Sequence, residues 1–571
     1  MLRRAFLPLA FAPCLPADEY TYGPDSSPQP GVPRGKVTKH TWTTSRVYPG
    51  TTHDYWIYAP AQLESGVTAA VMVFQDGAGF VKEDGAWRVP TVFDNLIHKG
   101  DMPVTIAILI APGILPARDP SQQSRFHRSY EYDAVTGRYA RFLIEEIIPE
   151  VGKTHKLSDN PNLHAISGSS SGGNCSFNTA WERSDYFRRV MSFIAGFTHQ
   201  RGALILPSQV RKFEGKPLRI FLQDGTGDVN IQSNQDMIAA LDQTGYDAKL
   251  VVGTEGHNSK HGGPLLPEAL RWVWRDWKTP IAKPVKSFAA RYVDPSIEWE
   301  PVAGDYRSAS GLAVDAAGNI FFADAGAREI RKIDHGSGEV SAFAKTSSGA
   351  GGLMFGPSGR LYASQPAAKR VVALDASGKE TVIAQGVAAA DLAVTPAGGV
   401  YFTETNTHRV GFIDPKGARR TVHEGIHAPA GIRLSPDHTL LLVSDALGRW
   451  VWSFQIQPDA SLAYGVAFHR LEIEDEVEPG ETHSGAGGFT VDSEGFLYVC
   501  TRLGLQVNDP AGRTSAVLLN PGGLSLTSVV FAGGASLDTL YVTAGNQVFR
   551  RPSKRRGVLP WRASKPPVPR L

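Results

Sequence analysis

The sequence predicts two folded domains of different class, an N-terminal α/β domain and a C-terminal all-β domain built as a six-bladed β-propeller. In the first half of the 571-residue chain, apolar strand-like runs are followed by loops and by segments that can be helical, which is typical of α/β units. In the second half, a strand–turn–strand unit recurs about every forty residues, which is typical of propeller blades.

Ser170 lies at the centre of Gly168-Ser-Ser170-Ser-Gly172, between an apolar strand-like run and a segment that can be helical. A strand that runs straight into a helix forces a sharp turn, and the central side chain of that turn projects. Because the two glycines lack a Cβ, strand and helix can approach closely there. The N–H groups at the start of the helix would face whatever Ser170 attacks. The pattern therefore predicts Ser170 as a nucleophile.

A histidine that could activate Ser170 follows the strand-like run 248–252, in the sequence Gly253-Thr-Glu-Gly-His257. Open parallel sheets collect functional groups beyond the carboxyl ends of their strands. We predict that His257 takes the proton of Ser170 as general base. His261 is the rival base, but it lies further from the end of the strand-like run.

The acid that orients His257 is predicted in the loop after the apolar run 218–222, which contains Asp224 and Asp228. We favour Asp228, because Asp224-Gly225 is typical of a turn-capping residue at the start of a tight turn. Asp224 stays open as the alternative acid.

The oxyanion of an acyl-transfer intermediate is expected to be bound by the backbone N–H of Ser171 and a second N–H from an earlier strand–loop junction. The apolar run 71–75 breaks into Asp76-Gly77-Ala78-Gly79 and fits that junction. We predict Gly77 or Ala78 as the second donor, with a tight turn of no catalytic use as the alternative.

Together these motifs resemble the esterase D-like branch of the α/β-hydrolases, which includes enterochelin, feruloyl and acetyl-xylan esterases. The resemblance covers about residues 40–280 and implies an α/β-hydrolase fold and a serine carboxylic-ester hydrolase. It leaves the ester open, since such enzymes cleave siderophore, feruloyl, acetyl and simple acyl esters. Transfer of the acyl group to an alcohol in place of water would use the same three residues. The segments that carry the resemblance are Phe74-Gln-Asp-Gly77, Arg128-Ser-Tyr-Glu-Tyr-Asp133, the Ser170 motif, Gly225-Thr-Gly-Asp228, Gly256-His257 and the helix-like block 265–277.

Three arginines, Arg118, Arg125 and Arg128, lie in the loop after the strand-like run 105–110, where a side chain can overlook the site. Arginine binds carboxylates through two parallel hydrogen bonds, so these residues would suit an acidic substrate. The alternative, which we favour, is an ion pair with Glu131 or Asp133 that braces the loop.

The repeats of the second half start near Gly311, Gly352, Asp391, Gly431 and Gly488, with a weaker sixth copy over 526–543. Each copy holds a strand, a glycine-containing turn and a second β-rich strand, which predicts six blades. Over about residues 300–550 the pattern resembles gluconolactonase/regucalcin-like propellers.

That resemblance implies a divalent metal in the central channel, held by Glu, Asn and Asp residues at the starts of the inner strands. Here those positions carry side chains that do not suit a hard cation, which needs several oxygen ligands. Asp391 remains as a single carboxylate, which is not a site. We therefore predict no metal, no cofactor and a propeller that serves as a docking or substrate-positioning module. The altered positions are Ser310, Gly351, Ala390, Ala430 and Gly487.

The bulk composition, with 42% hydrophobic and 20% charged residues, is that of an ordinary globular protein. A net charge of +2 argues against a nucleic-acid partner, and no apolar run is long enough for a transmembrane segment. The predicted partner is a small-molecule or carbohydrate-linked ester, and the oligomeric state stays open. Cys175 and Cys500 lie in different predicted domains and are expected to be buried and unpaired.

The N-terminal residues resemble a short secretory signal, with Arg3 and Arg4, an apolar run and Leu15-Pro-Ala17, which predicts a periplasmic or secreted protein. The predicted organisation is a signal at 1–17, an extended arm at 18–40, the α/β-hydrolase domain at 41–280, a linker at 281–299, the propeller at 300–552 and a solvated basic, Pro-rich tail at 553–571.

Two functions of other classes compete with a serine esterase. One is a metal-dependent sugar lactonase whose site lies in the propeller. The other is a non-enzymatic carbohydrate-binding protein with two degenerate domains.

Overall fold

The computed structural model describes residues 20–63, 66–198, 200–474 and 483–568, which fall into two compact units. Unit 1 comprises Met1–Leu206, Pro217–Asp242 and Tyr246–Ala282; unit 2 comprises Pro207–Lys216, Gln243–Gly245 and Lys283–Leu571. Among the described residues, no helix is both long and apolar enough to cross a membrane. The predicted signal at 1–17 lies outside the described residues.

Unit 1 contains an eight-stranded sheet in the order β1-β2-β4-β3-β7-β8-β9-β10. Only the pairs β1/β2 and β2/β4 are antiparallel, and the other neighbours are parallel. A separate hairpin is formed by β5 and β6. The strands are β1 (Lys36–Trp42), β2 (His53–Ala59), β3 (Ala70–Gln75), β4 (Thr105–Ile110), β5 (Ile114–Leu115), β6 (Arg125–Phe126), β7 (His164–Ser169), β8 (Arg189–Phe193), β9 (Arg219–Gly225) and β10 (Asp247–Gly253).

The central strands of this sheet are buried along their whole length. Every residue of β3, β4, β8 and β9 is buried, so both faces of the sheet are covered. This explains why these strands are near-continuous apolar runs and do not alternate with polar residues.

The helices of the described residues are α1 (Gly77–Phe80), α2 (Val89–Lys99), α3 (Arg128–Tyr132), α4 (Arg138–Phe142), α5 (Ile148–Gly152), α6 (Ser171–Glu182), α7 (Leu206–Lys212), α8 (Ile231–Thr244) and α9 (Gly262–Trp274).

The parallel strands place their carboxyl ends at one edge of the sheet. The segments that follow β3, β7, β9 and β10 carry Gly77, Ser170, Asp228 and His257, respectively. Residues from four distant stretches of the chain therefore meet at this edge, where open α/β sheets place their ligand sites.

Unit 2 is a β-propeller of six four-stranded sheets, so the α/β plus six-bladed propeller fold is confirmed. The inner strands β12, β16, β20, β24, β28 and β32 contact one another in sequence, and β32 contacts β12, which closes the ring. The blades are β12 (Ala309–Val314), β13 (Ile320–Asp324), β14 (Glu329–Ile333), β15 (Val340–Lys345); β16 (Leu353–Phe355), β17 (Leu361–Gln365), β18 (Arg370–Leu374), β19 (Glu380–Gln385); β20 (Leu392–Val394), β21 (Val400–Glu404), β22 (Arg409–Ile413), β23 (Arg419–Glu424); β24 (Pro429–Leu434), β25 (Leu440–Asp445), β26 (Trp450–Ile456), β27 (Leu462–Arg470); β28 (Phe489–Val491), β29 (Leu497–Thr501), β30 (Gly504–Asn508), β31 (Thr514–Leu518); and β32 (Leu526–Ala532), β33 (Thr539–Ala544), β34 (Gln547–Pro552) with β11 (Glu300–Ala303).

The last blade is completed by the first strand of the propeller. Strand β11 pairs with β34, so the two ends of the repeat are joined in one sheet. The strand that precedes the first blade is therefore held in the last blade, a closure that the repeat pattern alone did not predict.

Three segments that composition describes as irregular carry definite structure. Strand β1 begins at Lys36, within the predicted arm, and Asp25 of the same arm pairs with Lys99 and Arg271. In the predicted linker, Tyr292 is buried in the propeller core. The predicted solvated tail is hydrogen-bonded to the propeller as far as Ser564, and its apolar residues Leu559 and Trp561 are partly buried against the propeller core.

Candidate active site

The candidate nucleophile Ser170 occupies the turn between β7 and α6, with φ 60° and ψ −126°. A non-glycine residue in this region is strained by about 1–3 kcal/mol and persists only where its surroundings hold it. The Ser170 N–H donates to the Phe193 carbonyl at 2.9 Å. A Cβ on Gly168 would lie 2.4 Å from the Gly172 carbonyl oxygen, so no side chain fits there. The elbow therefore requires glycine at this position.

His257 reaches Ser170 from the loop after β10. Its Nε2 lies 2.8 Å from Ser170 Oγ, a normal hydrogen-bond distance. The histidine side chain is 39% exposed, so the reacting end of the pair is open to solvent and to a substrate.

Asp228 lies on the far side of the His257 ring. Its Oδ2 is 2.9 Å from His257 Nδ1 and its Oδ1 is 3.2 Å from the same atom. The carboxylate is fully buried and also accepts the Asn230 backbone N–H at 2.9 Å. With Nδ1–H donated to Asp228, Nε2 is free to accept the proton of Ser170, which is the tautomer that a general base needs.

Asp224, the alternative acid, is held in a different position. Its carboxylate accepts the Gly225 N–H at 2.8 Å and the Asn234 side-chain amide at 2.7 Å. Burial raises the pKa of Asp224 to about 7, and the neighbouring Asp228 contributes in the same direction. The structure thus places two carboxyl groups side by side, and the one that bonds to His257 is Asp228.

His261, the rival base, is buried at the start of α9. Its ring stacks on Tyr20 with centroids 4.2 Å apart, and Nδ1 lies 3.2 Å from Gln223 Nε2. These contacts make it part of the packing under the site, whereas His257 is the histidine bonded to Ser170.

The predicted oxyanion donors, Ser171, Gly77 and Ala78, all stand in the first turns of helices, α6 for Ser171 and α1 for the other two. N–H groups in a first turn have no acceptor within their own helix. The two turns are adjacent, because a Cβ on Gly172 would lie 3.1 Å from Asp76 Oδ2. A Cβ on Gly77 would lie 2.2 Å from the Leu109 carbonyl carbon, so β4 forces glycine at this junction.

Arg128 forms an ion pair, as predicted, but its partner is Asp76 and not Glu131 or Asp133. Its Nε and Nη2 donate to the two carboxylate oxygens of Asp76 at 2.8 and 2.7 Å, and this bonding raises the Arg128 pKa. Nη2 also lies 3.3 Å from the Ser169 carbonyl oxygen. The predicted partner Glu131 instead accepts from His53 at 3.0 Å and from the Gly113 N–H.

Asp76, whose role sequence reasoning missed, therefore links the two junctions that bear the nucleophile and the oxyanion donors. It has a left-handed φ of 57°, which places its side chain toward Arg128 while Gly77 begins α1. The signal available in the sequence was its position between a buried strand and a glycine.

The other predicted pocket residues lie apart from this pair. Arg118 and Arg125 are exposed in the loop and hairpin after β4. The hairpin also presents Phe126, which is 67% exposed. Val229, between Asp228 and Asn230, is 86% exposed and offers an apolar side chain beside the acid loop.

Comparison with known families assigns each unit separately. Residues 48–261 match the family model described as "Putative esterase", and residues 308–546 match the "SMP-30/Gluconolactonase/LRE-like region". These matches confirm both resemblances seen in the sequence motifs, so unit 1 contains an esterase-family domain and unit 2 a gluconolactonase-like region.

Among curated proteins, a gluconolactonase of Zymomonas mobilis is 24% identical over 278 residues, which is 47% of this chain and 70% of that protein. Two solved structures represent the two units. A gluconolactonase from Xanthomonas campestris is 19% identical, with 44% of this chain and 88% of that chain covered and a TM-score of 0.39. An enterobactin esterase from Shigella flexneri is 20% identical, with 44% and 62% covered and a TM-score of 0.36. At these identities the likeness concerns the fold alone.

Proposed function

We propose that this chain, with its esterase-family domain joined to a gluconolactonase-like propeller, is a serine carboxylic-ester hydrolase whose catalytic residues are Ser170, His257 and Asp228. The observation that carries the proposal is the hydrogen-bonded row of these three side chains, with distances of 2.8 and 2.9 Å, built on a strained elbow at the sheet edge. Strain at a single, partly exposed serine between glycines is typical of a nucleophile.

In the proposed reaction, Ser170 Oγ attacks the ester carbonyl carbon while His257 Nε2 takes its proton. Asp228 holds the imidazole in place and stabilises the imidazolium that forms. The tetrahedral intermediate collapses, the C–O bond to the alcohol breaks, and His257 returns the proton to the departing oxygen. Water then attacks the carbonyl carbon of the acyl-enzyme while His257 takes one of its protons. The bond from the acyl carbon to Ser170 Oγ breaks, His257 returns the proton to Oγ, and the acid is released.

The negative oxygen of each tetrahedral intermediate is proposed to bind the N–H of Ser171 and the N–H of Gly77 or Ala78. Removal of one such donor in serine hydrolases typically costs about 3–4 kcal/mol of transition-state stabilisation. The ion pair of Arg128 with Asp76 supports this arrangement, since it joins the loop before Gly77 to the residue before Ser170.

We propose a small-molecule or carbohydrate-linked ester as substrate, with siderophore, feruloyl and acetyl esters as the candidate classes. The exposed apolar side chain of Val229, next to Asp228 in the loop after β9, favours an ester with an apolar part. The propeller is proposed to be non-catalytic, and a periplasmic or secreted location remains part of the proposal.

The test is hydrolysis of a panel of acetyl, feruloyl, glucuronoyl and siderophore esters by the wild type and by Ser170→Ala. We expect Ser170→Ala to abolish turnover and to abolish labelling by a fluorophosphonate probe. Ser121→Ala is the matched control, because its exposed hydroxyl donates to Asp119 in the same loop.

The outcomes separate the competing functions. Activity that survives Ser170→Ala and disappears with a chelator would establish a metal-dependent lactonase in the propeller. A folded wild type that neither reacts with the probe nor turns over any ester would leave the non-enzymatic carbohydrate-binding function.

A further inference from the structure

The axial channel of unit 2 opens into a cavity of about 180 Å³ at the starts of the inner strands. The residues lining it are small, and they include Gly351, Ala390, Ala430 and Gly487, the positions at which related propellers are expected to bind a cation. Among the described lining residues, Asp391 is the one with a charged side chain.

Asp391 is paired with Arg433, a residue whose role the sequence did not indicate. Arg433 Nη1 lies 2.7 Å from Asp391 Oδ2, and each side chain is only 11% exposed. Asp391 directly precedes β20 of the third blade, and Arg433 lies on β24 of the fourth. The ion pair therefore joins neighbouring blades at their inner strands.

The remaining hydrogen bonds of the pair are made to backbone. Asp391 accepts the N–H of Leu392 at 2.9 Å and of Ile432 at 3.2 Å, and Arg433 Nη1 donates to the Ile432 carbonyl at 2.6 Å. A Cβ on Gly352 of the second blade would lie 2.3 Å from Asp391 Oδ1. The carboxylate thus fills the space between three blades, and its oxygens are already engaged.

Beyond this pair the channel narrows to an apolar cavity of about 40 Å³, which Arg433 lines together with Leu312, Leu353 and Val530. Val558 and Pro560 of the C-terminal segment also line this cavity. The same segment is fastened to the propeller by the Ser564 N–H, which donates to the Pro436 carbonyl at 2.7 Å. A guanidinium in such surroundings needs a buried counter-charge, and Asp391 supplies it.

The residues of this channel do not fit a divalent cation. A hard cation such as Ca²⁺ takes six to eight oxygen ligands, usually with several carboxylates. Within the described residues, no group of three or more His, Cys, Asp or Glu side chains is arranged to hold a metal. The single carboxylate of the cavity is bonded to a cation already, and the fixed charge of Arg433 repels another.

We infer that the guanidinium of Arg433 supplies, beside Asp391, the positive charge that a divalent cation is expected to supply in gluconolactonase-like propellers. The Asp391–Arg433 pair, and not a metal, joins the third and fourth blades at the channel. It follows that unit 2 folds and stays folded independently of divalent cations.

The test measures thermal unfolding of the full-length protein with 1 mM EDTA and with 5 mM CaCl₂ or MnCl₂, together with calorimetric titration of the same salts. We expect the melting temperature of the wild type to differ by less than about 1 °C between these conditions, with no binding heat. A calcium-dependent rise in the wild-type melting temperature, or saturable binding heat, would overturn the inference whatever the variants do.

Variants test the Asp391–Arg433 ion pair itself. Arg433→Ala leaves a buried carboxylate unpaired and is expected to lower the melting temperature by several degrees, whereas the double variant Asp391→Asn/Arg433→Met is expected to lie closer to the wild type. Arg409→Ala is the matched control, since its ion pair with Glu424 is on the exposed face of the third blade. An Arg433→Ala protein as stable as Arg409→Ala would contradict the proposed role. Should Arg433→Ala fail to fold, the wild-type titration still decides.

Discussion

Arg128 grips Asp76 with two parallel hydrogen bonds, Nε at 2.8 Å and Nη2 at 2.7 Å from the two carboxylate oxygens. The same guanidinium lies 3.3 Å from the Ser169 carbonyl, one residue before the nucleophile. The pair therefore connects the β3–α1 junction with the β7–α6 elbow. Because Nε and Nη2 of Arg128 are both bonded to Asp76, Arg128 is better placed to fix backbone geometry than to bind a substrate carboxylate.

The first prediction concerns this pair. Arg128→Lys loses the bidentate contact, and we expect kcat to fall by about 10- to 100-fold with little change in KM, because small misplacements of reacting groups are costly. The loss should be equal for neutral and acidic esters in steady-state assays. Arg183→Lys is the control, since Arg183 makes an equally bidentate contact with Asp185 away from the site. A loss confined to acidic esters would instead assign Arg128 to substrate binding.

The second prediction separates the two neighbouring carboxyl groups. Asp228→Asn holds the His257 ring in the wrong tautomer, and we expect kcat to fall roughly 10⁴-fold. Asp224→Asn should reduce kcat by no more than about 10-fold, because Asp224 bonds to Gly225 and Asn234. Single-turnover hydrolysis of a chromogenic ester measures both. The reverse ranking would identify Asp224 as the acid.

The third prediction concerns stability and pH. The pKa of Asp224 is about 7 in the folded protein and near 3.8 in the unfolded chain, so between these values the folded state holds a proton that the unfolded state releases. Its contribution to the free energy of unfolding is therefore fully present below about pH 4 and is lost as pH rises through about 7. The size is on the order of a few kcal/mol at most.

Urea unfolding between pH 4.5 and 8 checks this sign. Because Asn does not titrate, Asp224→Asn should gain stability relative to the wild type as pH rises through this window. A stability difference between the two proteins that does not vary with pH would show that Asp224 is ionised throughout.

The fourth prediction concerns the oxyanion junction. Gly77→Ala forces a Cβ to within 2.2 Å of the Leu109 backbone, so strand β4 or helix α1 must shift. We expect a loss of about 1–3 kcal/mol in unfolding free energy and a fall in kcat of about 10²-fold or more. Gly79→Ala is the matched control in the same helix, since a Cβ there meets nothing within 4 Å. Equal behaviour of the two variants would exclude Gly77 from a role that depends on its position.

Much of the fold and of the candidate site could be predicted because the signals are local. The elbow needs glycines on both sides of Ser170, and the blades repeat one short strand–turn–strand unit. Both patterns can therefore be recognised in short stretches of sequence. The placement of Asp228 and His257 after strands β9 and β10 follows from the parallel sheet, which puts the ends of such strands at one edge.

The contacts that the sequence missed join residues far apart in the chain or choose between close neighbours. Asp76 lies 52 residues from Arg128, and Asp391 lies 42 residues from Arg433. Glu131 is nearer to Arg128 in the sequence, but its carboxylate is hydrogen-bonded to His53 and to the Gly113 N–H. Likewise, strand β11 completes the last blade through pairing with β34, which no repeat of the inner strands encodes.

The sequence by itself determined the two fold classes, the strained serine and the order of its partners, because short-range backbone chemistry and periodicity specify them. Only the tertiary structure decided that Asp228 and not Asp224 bonds to His257, that Arg128 braces Asp76, and that Arg433 pairs with Asp391 at the propeller channel. Those outcomes depend on which side chains packing brings within about 3 Å of each other, and spacing along the chain does not determine that distance.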